Sequence, residues 1–222
     1  SADRPTVGGF LQGHSYTAVA VGKWHLGLDW AMLDKEREAA SGPTKGPGWD
    51  IDYTKPVGNG PLARGFTRDF LFPASLDMPP YVYLRDDTPV AVPTLTKAFK
   101  QPNRPGPATA DFEASACLAD FARESRAFIA SAAAKQAPFF LYFPLTSPHT
   151  PIVPSAKWQG KSGLGDYADF VMETDWVAGE ILAELDQRQL ADNTLLVFTS
   201  DNGCSPMAGI PDLVKKGHHP CG

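Results

Sequence analysis

The 222-residue chain has no uninterrupted apolar run of the roughly 18 residues that a membrane-spanning helix requires. Cysteine is scarce: Cys117, Cys204 and Cys221 match neither a disulfide framework nor a zinc spacing. Cys117 falls in a helical pattern and reads as a small core residue, whereas Cys204 and Cys221 could pair or remain free thiols. Positive charge is in the minority, 20 Lys and Arg against 25 Asp and Glu, and the net charge of −5 leaves no electrostatic footprint for nucleic acid. No internal repeat is found. No leader pattern is visible either, but the chain opens on Ser1 rather than Met, which leaves the compartment open.

Turn chemistry is abundant. The 20 glycines and 21 prolines concentrate in residues 41–80 and 101–107, which read as long loops. A hydrophobic share of 43% is ordinary for a globular protein, and the length suffices for one large domain or two small ones. Residues 6–12 suit a short helix, 16–21 a buried strand, and 28–40 a surface turn or short helix. Residues 69–72 and 81–84 are short strand candidates. Over 109–136, Phe112, Ala116, Ala119, Arg123, Ala127 and Ala130 recur at spacings of three and four, which predicts a helix stopped by Pro138. The continuous apolar run 139–143 suits a strand covered on both faces. Phe170, Val177, Ile181 and Leu185 share one face of a helix over 167–189, and 195–198 reads as another buried strand. The tail from Cys204 is polar and irregular. This alternation predicts an α/β fold with a mainly parallel sheet flanked by helices.

Each of three predicted strands ends in a polar cluster. After the first come Gly22-Lys23-Trp24-His25-Leu26-Gly27, in which Trp24 can pack inward while Lys23 and His25 point the other way. After the second comes Ser147-Pro148-His149-Thr150-Pro151, and after the third Thr199-Ser200-Asp201-Asn202-Gly203. If the strands are parallel neighbours, these clusters converge on one edge of the sheet, where open α/β sheets bind ligands. Lys23 would hold an anionic oxygen, the two histidines would divide acid and base duties, and Asp201 and Asn202 offer hard oxygen ligands for calcium or magnesium. The set describes metal-assisted hydrolysis of an anionic ester. Taken singly, each piece has a plainer reading: Asp-Asn-Gly is an ordinary turn, Pro-His-Thr-Pro a rigid loop, and Ser75 a turn residue. His14, His218 and His219 have no strand context and read as surface residues.

Together these segments resemble three signatures of the type I sulfatases, arylsulfatase-like enzymes of the alkaline phosphatase superfamily. Pro73-Ala74-Ser75-Leu76-Asp77 also resembles that family's substrate-side serine segment. The resemblance implies an alkaline-phosphatase-like fold and a sulfuric ester hydrolase in which a hydrated formylglycine attacks the sulfate sulfur. It implies that Lys23 bridges formylglycine and sulfate, and that His25 supports the formylglycine. His149 would contact the sulfate and assist the leaving oxygen, Ser75 would hydrogen-bond near the sulfate, and Asp201 and Asn202 would ligate calcium. The family's Cys-x-Pro-Ser-Arg nucleophile segment is not found among the 22 residues before Lys23, and its early Asp-Asp pair is absent too. Residues 1–222 are therefore expected to be an internal part of a sulfatase catalytic domain, with a sheet incomplete at both ends. The formylglycine is expected upstream, and the chain alone to be inactive and marginally stable. The expected substrate is a sulfated small molecule or glycan, with no nucleic-acid partner, and the family suggests a periplasmic or secreted location. Two other functions fit the same residues: a phosphatase or phosphonate-ester hydrolase of the superfamily, and a non-catalytic sulfatase-like binding module.

Overall fold

A computed structural model describes residues 4–34, 48–100, 102–204 and 206–217. In chain order its elements are α1 (Val7–Gln12), β1 (Thr17–Lys23), β2 (Arg68–Phe72), β3 (Leu84–Arg85), β4 (Thr88–Pro89), β5 (Leu95–Lys97), β6 (Gly106–Ala108), α2 (Cys117–Lys135), β7 (Phe139–Tyr142), α3 (Asp166–Gln187) and α4 (Ile210–Lys215). The main sheet has the order β4-β3-β2-β1-β7, and β5 and β6 form a separate antiparallel pair. β1 runs parallel to β2, with Lys23 opposite Phe72, and parallel to β7, with Ala20 opposite Tyr142. The β3–β4 hairpin adds antiparallel to β2, so the sheet is mixed.

β1 is the core of the sheet because its residues suit burial on both faces. Val19 and Val21 join Phe70, Phe72, Phe112 and Phe121 on one side, where α2 packs. The small Ala18 and Ala20 join Leu71, Trp24, Val57 and Phe66 on the other. There Gly8 of α1 lies against the Phe66 ring, so closely that a Cβ would meet it at 3.1 Å. α3 covers α2: Leu118 and Ala122 meet Phe170 and Val177, and Ile129 meets Ile181 and Leu185. The face predicted for residues 167–189 is thus the face that is buried. Arg126 crosses between these helices to Glu180 at 2.6 Å and Glu184 at 3.1 Å.

Several elements depart from their sequence expectations. The main one is 195–198, which belongs to no strand, with Leu195, Val197 and Phe198 at 89%, 75% and 69% exposure. A strand needs a hydrogen-bonded neighbour, and this segment has none among the described residues. β7 is an edge strand for the same reason, so its residues are half-buried or exposed rather than covered on both faces. Residues 81–84 supply only a bridge from Tyr81 to Ala108 and the start of β3. The helix expected over 109–136 begins at Cys117, after a short turn at Ala114–Ala116. Residues 28–34 make isolated bridges, Asp29 to Gly58 and Met32 to Ile51, and 35–40 lie outside the described residues. The tail is not wholly irregular, since it contains α4. Cys117 is fully buried and Cys204 is half-buried; Cys221, His218 and His219, and with Cys221 the possible pairing of Cys204, lie outside the described residues.

Candidate functional site

Lys23 is the last residue of β1 rather than the first beyond it. Gly22 determines what lies beside it. Its φ is +125°, and a Cβ there would stand 2.0 Å from the Pro144 carbonyl oxygen. Only glycine permits that approach. The same carbonyl accepts from the Lys23 N–H at 2.7 Å. The chain leaving β7 is therefore held against the end of β1. Farther along, Ser147 Oγ lies 2.6 Å from Thr174 Oγ1 of α3. The segment is fastened on both sides before it reaches His149.

The His149 Nδ1 lies 2.7 Å from the Thr150 carbonyl oxygen and 3.3 Å from Ser75 Oγ. A carbonyl only accepts, so Nδ1 carries the proton, and the neutral ring presents its lone pair at Nε2. Ser75 Oγ then serves as a second acceptor, and its own proton remains available to a ligand. Ser75 is buried, in the turn after β2, where the Met78 N–H donates to the Ser75 carbonyl at 2.9 Å. Asn103 Nδ2 fastens that turn from behind, donating to the Leu76 carbonyl at 2.8 Å and to the Tyr81 hydroxyl at 2.7 Å.

The Lys23 ammonium, half-buried, makes no hydrogen bond or ion pair with any described residue. Desolvation makes it easier to deprotonate than an ordinary lysine, and the fields of Asp201 and then Asp77 work against that shift. Trp24 turns inward, 5% exposed, with its indole N–H donating to the Gly27 carbonyl at 3.2 Å. His25 points outward and is exposed. Asp201 and Asn202 are exposed on the unpaired segment that follows residues 195–198. The structure brings Ser75 into contact with His149 and ends β1 at Lys23, between the strands β2 and β7 that lead to them. It sets Asp201 within electrostatic reach of Lys23 and leaves His25 and Asn202 at the surface.

Among the described residues, no three or more His, Cys, Asp or Glu side chains are grouped to hold a metal ion. Asp201 and Asn202 fall short of the six to eight oxygens that calcium takes, so these residues do not by themselves form a calcium site. Asp77 is a neighbour that the motif reading did not single out. It shares Ser75's turn, and its Oδ1 is buried without a hydrogen-bond partner. Its position two residues past Ser75 was the available signal. What remains is a hydroxyl against an imidazole and, at the end of the strand between theirs, a lysine unpaired among the described residues, groups whose chemistry suits a tetrahedral oxyanion and a proton carried to or from it.

A family model described as Sulfatase matches residues 1–220. An N-acetylgalactosamine-6-O-sulfatase of Bacteroides thetaiotaomicron is 30% identical over 257 aligned positions, covering 98% of this chain and 47% of the relative. Human arylsulfatase H is 47% identical over 81 residues, 36% of this chain and 14% of its own. Among solved structures, one from a Bacteroides thetaiotaomicron locus for the metabolism of multiple glycosaminoglycans superposes with a TM-score of 0.71 at 27% identity, over 91% of this chain and 46% of that one. Ps i-CgsB, solved with a neocarrahexaose, superposes with a TM-score of 0.63 at 20% identity, over 94% of this chain and 42% of that one. The chain spans about half the length of such relatives, 47% of the first. No helix among the described residues is long and apolar enough to cross a membrane.

Proposed function

Because the chain belongs to the sulfatase family, we propose that Lys23, Ser75 and His149 form the sulfate-receiving edge of a sulfuric ester hydrolase. The observation that carries this is the half-buried Lys23 ammonium, without an ionic partner among the described residues, at the end of the strand that lies between those leading to the Ser75–His149 contact. A desolvated cation attracts an anion more strongly than one in water. In this reading Lys23 binds a sulfate oxygen and Ser75 donates its free O–H to another. His149 Nε2, which carries the lone pair, would first take up a proton, and the imidazolium would then return it from Nε2 to the ester oxygen as that oxygen leaves. His25, exposed one turn of chain away, would act on the attacking group rather than on the sulfate. Asp201 and Asn202 would contribute two oxygens to a calcium site whose remaining ligands are not among the described residues. A sulfated glycan is the favoured substrate class, since the relative matched over 98% of this chain is an N-acetylgalactosamine-6-O-sulfatase. A periplasmic or secreted location belongs to the same proposal.

Inorganic sulfate is a sufficient probe. Titrated into the isotopically labelled chain, sulfate should shift the Lys23 and His149 resonances, and Lys23→Ala should weaken binding at least about tenfold, or 1.4 kcal/mol. Binding indifferent to Lys23→Ala would overturn the assignment. Phosphate bound much more tightly than sulfate would favour a phosphatase instead.

A further inference from the structure

We propose that the pocket beside His149, lined by Lys100, Thr150, Ile152, Asp166, Tyr167 and Met207, is a subsite for one uncharged sugar ring of the glycan that carries the sulfate. This rests on the reading of the neighbouring site as one that receives sulfate. The pocket encloses about 260 Å³. Small-molecule sites run from about 300 to 1,000 Å³, so its size fits a single ring rather than a chain of them.

Two routes of contact fix the pocket against the Ser75–His149 pair. Thr150, in its wall, is the residue after His149; its carbonyl oxygen lies 2.7 Å from His149 Nδ1 and its Oγ1 3.5 Å. Lys100 follows Phe99, whose N–H donates to Asn103 Oδ1 at 2.7 Å, while Asn103 Nδ2 donates to the Leu76 carbonyl at 2.8 Å, one residue past Ser75. One buried side chain thus ties the approach to Lys100 to the turn that carries Ser75. The rest of the wall is fastened as well. Lys100 pairs with Asp166, the first residue of α3. Met207 lies in the turn Pro206–Ala208 that leads into α4, and Lys216, just past α4, donates from Nζ to the Leu164 carbonyl at 3.1 Å, two residues before Asp166.

The chemistry of the lining selects the ligand. Ile152, Met207 and the Tyr167 ring offer apolar surface, which suits the C–H face of a pyranose. Lys100, Asp166 and the hydroxyls of Thr150 and Tyr167 offer donors and acceptors, and each sugar hydroxyl is both. The charges of Lys100 and Asp166 cancel, so the pocket has no net charge to attract a uronate or a second sulfate. Both side chains are about half exposed, and an ion pair so exposed is held weakly, so a hydroxyl can take up either arm of it at little cost. An aryl group would desolvate the same pair without bonding it.

The test is a titration of the isotopically labelled chain with D-galactose, which carries no sulfate, and then with galactose 6-sulfate, phenyl sulfate and inorganic sulfate. D-galactose should shift the Ile152, Tyr167 and Met207 amides, and glucuronate should shift them less. Galactose 6-sulfate should bind about tenfold tighter than inorganic sulfate, the gain from one hydrogen bond to a charged group. Asp166→Ala, and separately Met207→Trp, which narrows the pocket from an exposed position, should remove that gain and leave the affinity for inorganic sulfate unchanged. The proposal is overturned by D-galactose that moves none of these amides, by glucuronate that moves them more, or by phenyl sulfate bound as tightly as galactose 6-sulfate. A gain that survives in whichever variant keeps the native amide spectrum overturns it too. D-galactose does not call on Lys23: if inorganic sulfate fails to engage Lys23 while D-galactose still moves these amides, the sulfate reading falls and the sugar pocket stands.

Discussion

Gly22 is where the strand end and the site meet, and replacing it by alanine tests both. The added Cβ would stand 2.0 Å from the Pro144 carbonyl oxygen, which is backbone and has no rotamer to escape into. Three costs follow. A non-glycine residue at positive φ is strained by about 1–2 kcal/mol. Pushing Pro144 aside is an overpacking cost of about 1–3 kcal/mol. The displaced carbonyl weakens its bond from the Lys23 N–H, about 1 kcal/mol. Together Gly22→Ala should destabilise by about 3–6 kcal/mol, a large share of the 5–15 kcal/mol that holds a typical domain together. Two other glycines separate the terms. Gly163 has φ +69° but open space around its Cβ position, so Gly163→Ala carries the strain alone. Gly179 lies within α3, also in open space, so Gly179→Ala should stabilise by about 0.5–1 kcal/mol. Urea unfolding followed by circular dichroism, at a common slope, measures all three. If Gly22→Ala cost no more than Gly163→Ala, the close approach of residue 144 to the end of β1 would be wrong, and with it the route that brings His149 to Ser75.

A second test concerns pH. Asp69 and Asp87 are both buried, the Asp87 N–H donates to Asp69 Oδ2 at 3.1 Å, and each Oδ1 is without a partner. Burial first, then the Asp87 carboxyl beside it, pushes Asp69 up to about 8. An unfolded aspartate titrates near 3.9, so the folded chain keeps a proton that the unfolded chain has lost. That stabilisation is complete below about pH 4 and is lost as pH rises through about 8, at a limiting slope of roughly 1.4 kcal/mol per pH unit. Asp69→Asn should flatten the slope in urea midpoints taken from pH 5 to 9; an unaltered slope would refute the pairing. A third test removes the clamp behind the site turn: Asn103→Ala abandons the Leu76 carbonyl and the Phe99 N–H and should cost about 2–4 kcal/mol in the same assay, a loss under 1 kcal/mol counting against it.

The elements that could be read from the sequence are those whose burial depends on their own residues. The Phe170, Val177, Ile181 and Leu185 face is set by helical spacing, and all four are buried. β1 is legible because alternating Ala and Val suit two covered faces of different depth. Residues 195–198 have an equally strong strand composition, yet Phe198 is 69% exposed. Strand composition records only that a residue tolerates a sheet; the ladder must come from a neighbour, and among the described residues none lies beside 195–198. The same dependence leaves β7 half-covered although Phe139-Phe140-Leu141-Tyr142 reads as interior.

The site divides along the same line. That Trp24 turns in and His25 out follows from alternation within a single extended segment, and both are placed so. The contact of Ser75 with His149 spans 74 residues and depends on where two chains leave parallel strands, which no local pattern encodes. What joins them is a backbone requirement: Gly22 yields room to the Pro144 carbonyl, and His149 follows five residues later. Lys23 itself has the residue type of an anion ligand in any reading of the sequence. Its half-burial without a partner among the described residues, in the fields of Asp201 and Asp77, is what would make a lysine at a strand end the proposed anion site. That desolvation arises only on folding, so the residue type is visible in the sequence and the physical ground for the proposed affinity is not.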